Sequence, residues 1–313
     1  MTATLTLNAM LTTSGDAVVA AIPAPEAAVK ITPLTPDQIA AATEREVQTQ
    51  LAVRRRRERL ASLVQSVVPG LVGILIFLLL WQGLTYVATQ IPGPAKVWDS
   101  AVKLFSDPFY RKGPNDQGID WNILASLQRV GLGFGLAALV GIPAGFMIGR
   151  FEYLNRMTSP IISLLRPVSP LAWLPIGLMV FKAANPAAIW VIFICSIWPM
   201  IVNTATGVQR IPQDYLNVAR VLNLSEWKVF TKILFPAVLP YMLTGVKLSI
   251  GVAWLVIVAA EMLTSGVGIG FWLWDEWNNL VVEHIMIAIF TIGIVGLLLE
   301  QALIWIAKRF QFD

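Results

Sequence analysis

Six stretches of this chain are apolar over about 20 residues or more, the length a helix needs to cross about 30 Å of hydrocarbon. They lie near residues 67–88, 122–149, 159–181, 186–208, 236–262 and 285–306. A chain patterned in this way has few folds open to it. Hydrocarbon offers no water to backbone N–H and C=O groups, and a helix satisfies those groups within itself. Only 13% of the 313 residues are charged, against about 25% in a soluble domain. The fold class that follows is all-α and integral to the membrane, with six transmembrane helices.

The Lys and Arg residues between the spans set the orientation. One set of segments holds Arg54–Arg57, Arg59, Arg150, Arg156, Arg210, Arg220, Lys228, Lys232, Lys308 and Arg309. The alternate set holds Lys96, Lys103, Arg111, Lys112 and Lys182, offset by Asp99, Asp107, Asp116 and Asp120, and residues 263–284 carry no Lys or Arg. Both termini and the 209–235 segment are therefore expected in the cytoplasm.

Residues 1–33 are rich in Ala, Thr and Pro, with Lys30 as their first cation. They lack the charged start of a secretory signal and read as a disordered cytoplasmic tail. Residues 34–66 read as an amphipathic, basic cytoplasmic helix that Thr35-Pro36-Asp37 opens. Its arginine run, directly before a span, fits anionic headgroups better than nucleic acid. The six-span domain occupies 67–313. On the outer side, Ile91-Pro92-Gly93-Pro94 is a rigid turn. Val97, Trp98, Ala101, Leu104 and Phe105 then share one face of a short interfacial helix, and Trp272, Trp274 and Trp277 mark a second interfacial segment.

Catalytic chemistry has little to stand on. One cysteine, Cys195, and one histidine, His284, make neither a disulfide framework nor a zinc site. Cys195 reads as apolar filler. No phosphate loop of the Gly-x-x-x-x-Gly-Lys-Ser/Thr kind occurs, so this chain binds no ATP of its own. Gly266-x-Gly268-x-Gly270 reads as tight turning or close helix contact, not as a nucleotide motif. Nothing pairs a titratable group with a nucleophile or metal.

Three features within the spans point to transport or packing. Pro160, Pro167, Pro170 and Pro175 break span three, and the freed carbonyls favour a helix that lines a cavity. Gly141, Gly145 and Gly149 repeat at spacing four, as do Gly131 and Gly135, which lets helices approach closely, including at a subunit interface. Charges within the membrane are costly and are paired or functional. Lys247 and Glu300 either pair or face a cavity, and Arg166 is similarly deep. Arg129 and Glu261 form a gate or an ion pair. The path residues inferred are Arg166, Pro170, Trp173, Lys247, Glu261 and Glu300, and a cation facing the path favours an anion.

The 209–235 segment is too long and too charged for an ordinary turn. Pro212 opens a helix over 213–222, with Tyr215, Val218, Ala219 and Leu222 at helical spacing. Asn223 is the second-best residue for a left-handed helix stop. Ser225 then caps a second helix, Phe230 and Ile233 pack it on the bundle, and Pro236 ends it. The result is a stiff elbow for a soluble partner.

These residues resemble a family. Asn217-Val218-Ala219, then Asn223, then Ile233-Leu234-Phe235-Pro236 keeps the spacing of Glu-Ala-Ala, Gly and Ile-x-Leu-Pro in permease subunits of binding-protein-dependent ABC importers. It departs from that pattern at Asn217, Val218 and Asn223. The segments Ser126–Phe134 and Arg166–Pro175 resemble the nitrate/sulfonate/taurine branch, and the stretch from Ala260 through Asn279 and Glu283-His284-Ile285 is closest to nitrate permeases. The resemblance implies a type I permease in the bacterial inner membrane, coupled through Tyr215, Asn217, Val218, Ala219, Arg220, Leu222, Asn223 and Leu224. It implies a second permease subunit as a homodimer, two ATPase subunits that hold ATP and Mg, and an extracytoplasmic solute-binding protein. The expected cargo is nitrate or nitrite, with bicarbonate, cyanate or alkylsulfonate/taurine as alternatives. A stand-alone channel, an ion-coupled carrier or a membrane anchor are readings of other classes.

Overall fold

The computed structural model describes residues 36–113 and 116–309, and its regular elements are all helices. The expectations for residues 1–33 and for Thr35 fall outside the described residues. The chain divides into two compact units, Met1–Gly73 and Ile74–Asp313.

Helix α1 (Pro36–Val87) runs for 52 residues through Pro69. The basic helix expected over 34–66 and the first span are therefore one element. A proline withdraws one backbone donor, and this helix continues past the gap. In the first unit Arg54, Arg55 and Arg57 are exposed, and Arg54 lies 3.7 Å from Glu58.

The second unit begins with the last turns of α1. The indole of Trp81 donates to the Pro92 carbonyl at 3.1 Å and holds the expected turn. Helix α2 (Pro94–Leu104) follows. Val97 is buried and Ala101 and Leu104 pack on the core, whereas Trp98 and Phe105 are exposed. The five residues read as one face thus divide between an inner and an outer side.

The spanning helices are α3 (Ile119–Arg150), α6 (Ala184–Gln209), α9 (Phe235–Leu263) and α11 (Val282–Lys308), together with residues 67–87 of α1. Span three is instead two helices, α4 (Glu152–Leu165) and α5 (Pro170–Phe181), bent by 99°. Pro167 and Pro170 remove the N–H groups that would bond the carbonyls of Ser163 and Arg166, which permits the break.

Glycine contacts define how these helices run. A methyl group on Gly133 would meet Ile192, on Gly141 Ile197, on Gly145 Thr204 and on Gly149 Val208. The partner numbers rise together, so α3 and α6 are parallel. Their parallel packing requires the bent α4–α5 pair to carry the chain back across. Gly207 faces Tyr241 and Gly245 faces Asn203, so α6 and α9 are antiparallel. The buried hydroxyl of Ser249 donates to the Ser196 carbonyl between them at 2.7 Å.

The glycine repeat at 141, 145 and 149 is thus packing within the chain and not at a subunit boundary. Gly131 and Gly135 have nothing within 4 Å of an added Cβ. Gly133, outside both repeats, makes one of the close contacts.

Gly145→Ala and Gly149→Ala would place a Cβ at 2.7 and 2.6 Å from neighbouring side chains. Each is expected to cost about 1–3 kcal/mol through overpacking. Gly131→Ala and Gly135→Ala are expected to be neutral or stabilising by up to ~1 kcal/mol. Thermal unfolding of the detergent-solubilised chain checks the contrast, and equal effects at all four positions would refute the parallel seam.

Candidate functional site

Between α6 and α9 the chain leaves the bundle. Pro212 precedes α7 (Gln213–Val221), with Leu222 at its end. Asn223 takes φ 48°. The Asn223 N–H donates to the Arg220 carbonyl and the Leu224 N–H to the Ala219 carbonyl, each at 3.0 Å. This pair of bonds is a Schellman stop, and Asn serves there because its short polar side chain tolerates the left-handed region.

Ser225 then occupies the N-cap of α8 (Glu226–Val229) without a capping side-chain bond, so the expected hydroxyl cap does not form. Nor does Pro236 end the second helix. A π-helical turn, Phe230–Leu234, joins α8 to α9 without interruption. Pro236 has no N–H, and the widened turn before it carries the helix across that gap.

The elbow is fastened to the bundle from beneath. Leu216 and Ala219 of α7 are buried with Phe146, Val208, Val229, Leu234 and Val238. Phe230 and Ile233 pack on this cluster, and the Phe146 and Phe230 rings meet edge to face at 5.1 Å. Arg150 reaches Glu226 at 3.9 Å, but Glu226 is exposed and such a pair adds little. Ala219, read above as a coupling residue, is 2% exposed and faces its own chain. The outward face of α7 carries Tyr215, Val218 and Leu222, at 59%, 55% and 63% exposure. These apolar side chains have no cover among the described residues. Asn217 accepts a hydrogen bond from Arg220 at 3.3 Å.

The opposite end of the bundle holds a buried polar cluster. Asn122, Ser126 and Arg129 of α3 meet Glu261 of α9 and the first turn of α10 (Ile269–Asn278). Arg129 pairs with Glu261 and donates to Asn185 at the start of α6. Ser126 donates to the Glu261 carboxylate at 2.7 Å and accepts from the Ile269 N–H at 2.9 Å. The Gly270 N–H donates to Glu261 at 3.0 Å, and the Gly268 N–H to Asn122 at 2.9 Å. A carboxylate at a helix N-terminus satisfies the donors left free there. The closeness requires glycine: a Cβ on Gly270 would lie 2.2 Å from the Val258 carbonyl oxygen. Glu261, inferred above to lie on the path, is 2% exposed and ties α3, α9 and α10 together, with Arg129 reaching on to α6.

The remaining path residues separate. Lys247 and Glu300 pair at 3.0 Å between α9 and α11, so the pairing alternative holds. Trp173 is half-buried and packs against Trp190 at 5.8 Å beside the core. Pro170 opens α5 just past the break. Arg166, at the end of α4, lines an open cavity of about 600 Å³ against α6. Trp272 is buried and stacks on His284, which lies 3.1 Å from Glu276, so of the three tryptophans expected at the interface Trp274 and Trp277 are exposed. Cys195 is buried. Among the described residues no three His, Cys, Asp or Glu side chains converge to hold a metal.

Sequence reasoning missed Phe146, Asn122, Ser126 and Ser159. The first anchors the elbow, Asn122 and Ser126 carry polar groups on the inward face of α3, and Ser159 is exposed on the open cavity beside the break. Asn122, Ser126 and Arg129 recur at spacing four and three within an apolar run, a signal that could have revealed the buried cluster.

This geometry defines a multi-pass helical membrane protein with one broken span, a polar cavity beside the break, and a braced helix that presents an apolar face away from the bundle. Residues 141–312 match the family model described as "Binding-protein-dependent transport system inner membrane component", and the chain belongs to that family. It is a multi-pass inner-membrane permease subunit. A "Nitrate import permease protein NrtB" of Leptolyngbya laminosa is 48% identical, over 79% of this chain and 88% of that one. A "Bicarbonate transport system permease protein CmpB" of Synechocystis sp. is 47% identical, over 78% and 88%. In fold, the chain resembles an inward-facing structure of the MetNI methionine ABC transporter, with TM-score 0.53 at 14% identity, over 61% of this chain and 95% of that one.

Arg129→Gln would leave the Glu261 carboxylate buried without its cation. Removing one partner of such a pair is expected to cost about 3 kcal/mol. Arg129→Gln with Glu261→Gln is expected to recover part of the loss. Thermal unfolding in detergent tests this, and an unchanged midpoint for Arg129→Gln would show that the cluster does not hold this end together.

Proposed function

We propose that this chain is the membrane-spanning subunit of an ATP-driven importer of a small inorganic anion, with nitrate, together with nitrite, as first cargo. The carrying observation is the 48% identity to a nitrate import permease across 79% of the chain. Bicarbonate is the second reading, favoured by the 47% identity to a bicarbonate permease. Cyanate and alkylsulfonates such as taurine are more distant cargoes.

In this reading the arginine-rich side, with α7 and both termini, faces the cytoplasm. Two ATPase subunits hold ATP and Mg, and each seats the Tyr215, Val218 and Leu222 face of one α7 in a groove. Asn217, Arg220, Asn223 and Leu224 shape and flank that face, while buried Ala219 supports it. Two copies of the chain pair around the path, and a solute-binding protein delivers the anion outside the membrane. The packing beneath α7 supports the mechanical role. A helix fastened by Leu216, Ala219 and the Phe146–Phe230 contact moves with α6 and α9. Closure of the ATPases thereby rocks the spans between inward-open and outward-open states.

Leu222→Asp puts a charge on the apolar docking face without touching the core beneath. It is expected to reduce ATP-dependent nitrate uptake by about tenfold or more, since one desolvated charge exceeds 1.4 kcal/mol. Uptake is measured in vesicles containing the assembled complex, with nitrite, bicarbonate and taurine as competitors. Normal uptake by this variant would refute docking through α7, and uptake competed by taurine alone would refute an inorganic cargo.

A further inference from the structure

The polar cavity beside the broken span has an unusual charge pattern. Of the cations within the spans discussed above, Arg129 has Glu261 and Lys247 has Glu300. Arg166 has no carboxylate partner among the described residues, and no carboxylate lines the cavity it borders. An unpaired guanidinium inside a membrane span is costly unless something there uses it. Arg166 lies seven residues beyond residue 159, where the span is read to begin, or about 10 Å into a ~30 Å hydrocarbon core.

The other polar walls hold unused donors. Asn155, Ser159, Ser163 and Arg166 project from one face of α4, and Thr206 and Gln209 stand opposite on α6. Thr206 spends its hydroxyl proton on the Val202 carbonyl at 2.7 Å. Asn155, Ser159, Ser163, Gln209 and Arg166 make no side-chain hydrogen bond among the described residues. Two hydroxyls, two amides and a guanidinium therefore converge on one space with a single positive charge. The planar fork of arginine matches a planar oxyanion, and hydroxyls and amides can either donate to such an ion or accept a proton from it.

We propose that this cavity is an anion-binding site of the permease itself, which holds one small, singly charged planar oxyanion against Arg166 between α4 and α6. The inference rests on the importer reading above and specifies where that chain holds its cargo. Nitrate and bicarbonate share the required chemistry. Arg166 supplies the charge, Ser159 and Ser163 bond the oxygens, and Asn155 and Gln209 flank the opening. The cavity is open and roomy beside so small an ion, so the ion keeps some of its waters and is held weakly enough to leave. The bend at Pro167 and Pro170 puts this site where α4 ends, so a change in that bend moves Arg166 relative to α6.

The test is protection of an introduced thiol in membrane vesicles that carry the assembled complex. Ser163→Cys, and separately Ser159→Cys in case the first does not assemble, is alkylated with and without sodium nitrate, sodium bicarbonate or sodium chloride at equal ionic strength. The parent chain, whose only thiol is the buried Cys195, sets the background. Nitrate or bicarbonate is expected to slow alkylation about fivefold or more at saturation, and chloride is not. Adding Arg166→Gln is expected to weaken that protection about tenfold, as loss of a charge-assisted contact does, and Arg166→Lys to restore part of it. Which of the two anions protects at lower concentration identifies the cargo the cavity prefers. Vesicles that import nitrate or bicarbonate yet show no protection, or protection that survives Arg166→Gln, would overturn this site and leave the importer reading standing. Import of neither anion would overturn that reading and this inference with it.

Discussion

The close, parallel contact of α3 and α6 is the constraint on which the rest of the membrane domain depends. Without a hydrophobic force between helices in lipid, close backbone approach and van der Waals contact hold a bundle together. Gly133, Gly141, Gly145 and Gly149 give α3 that approach along its second half. Because the two helices point the same way, everything between them must return the chain across the membrane. That task falls to α4 and α5, which cannot form one straight helix with Pro167 and Pro170 at their junction. The bend opens space between α4 and α6, and the polar cavity occupies it. One packing choice thus produces both the broken span and the place where an ion can sit.

The two ends of the bundle are built for different tasks. At one end a buried carboxylate, Glu261, gathers Arg129, Ser126 and the backbone of α10, so α3, α6, α9 and α10 are held by directional bonds. At the other, α7 is held by apolar packing alone and keeps a second apolar face outward. Directional bonds in a low-dielectric interior resist displacement, because a broken one leaves a buried polar group unsatisfied. Apolar contacts can slide at smaller cost. Under the importer reading proposed above, a bundle pinned at one end and docked at the other suits a part that is rocked from the docked end.

Much of this was readable from the residues. The all-α class, the positions of α3, α6, α9 and α11, and the elbow with its stop at Asn223 all follow from hydrophobic run length, proline and the left-handed tolerance of Asn. The errors share a cause. Charge in a span suggests function and points Glu261 toward the path, yet Glu261 is buried among neighbours within the chain. Gly131 and Gly135 show the same spacing as Gly141 and Gly145, but a Cβ added at either would meet no other part of the described chain. Ser159 and Ser163 passed unnoticed because a hydroxyl in an apolar run carries no signal until its helix face is known.

What the amino-acid order settled by itself is what each segment must do with its own backbone: close its hydrogen bonds as a helix, break at proline, turn at Asn223. These are local matters, decided within a few residues by sterics and by the absence of water in hydrocarbon. Which face of each helix meets which neighbour was decided only by the assembled bundle. That choice separates a paired Lys247 from an unpaired Arg166, and a buried Ala219 from an outward Leu222, because a side chain's partner lies across space on a helix remote in the chain.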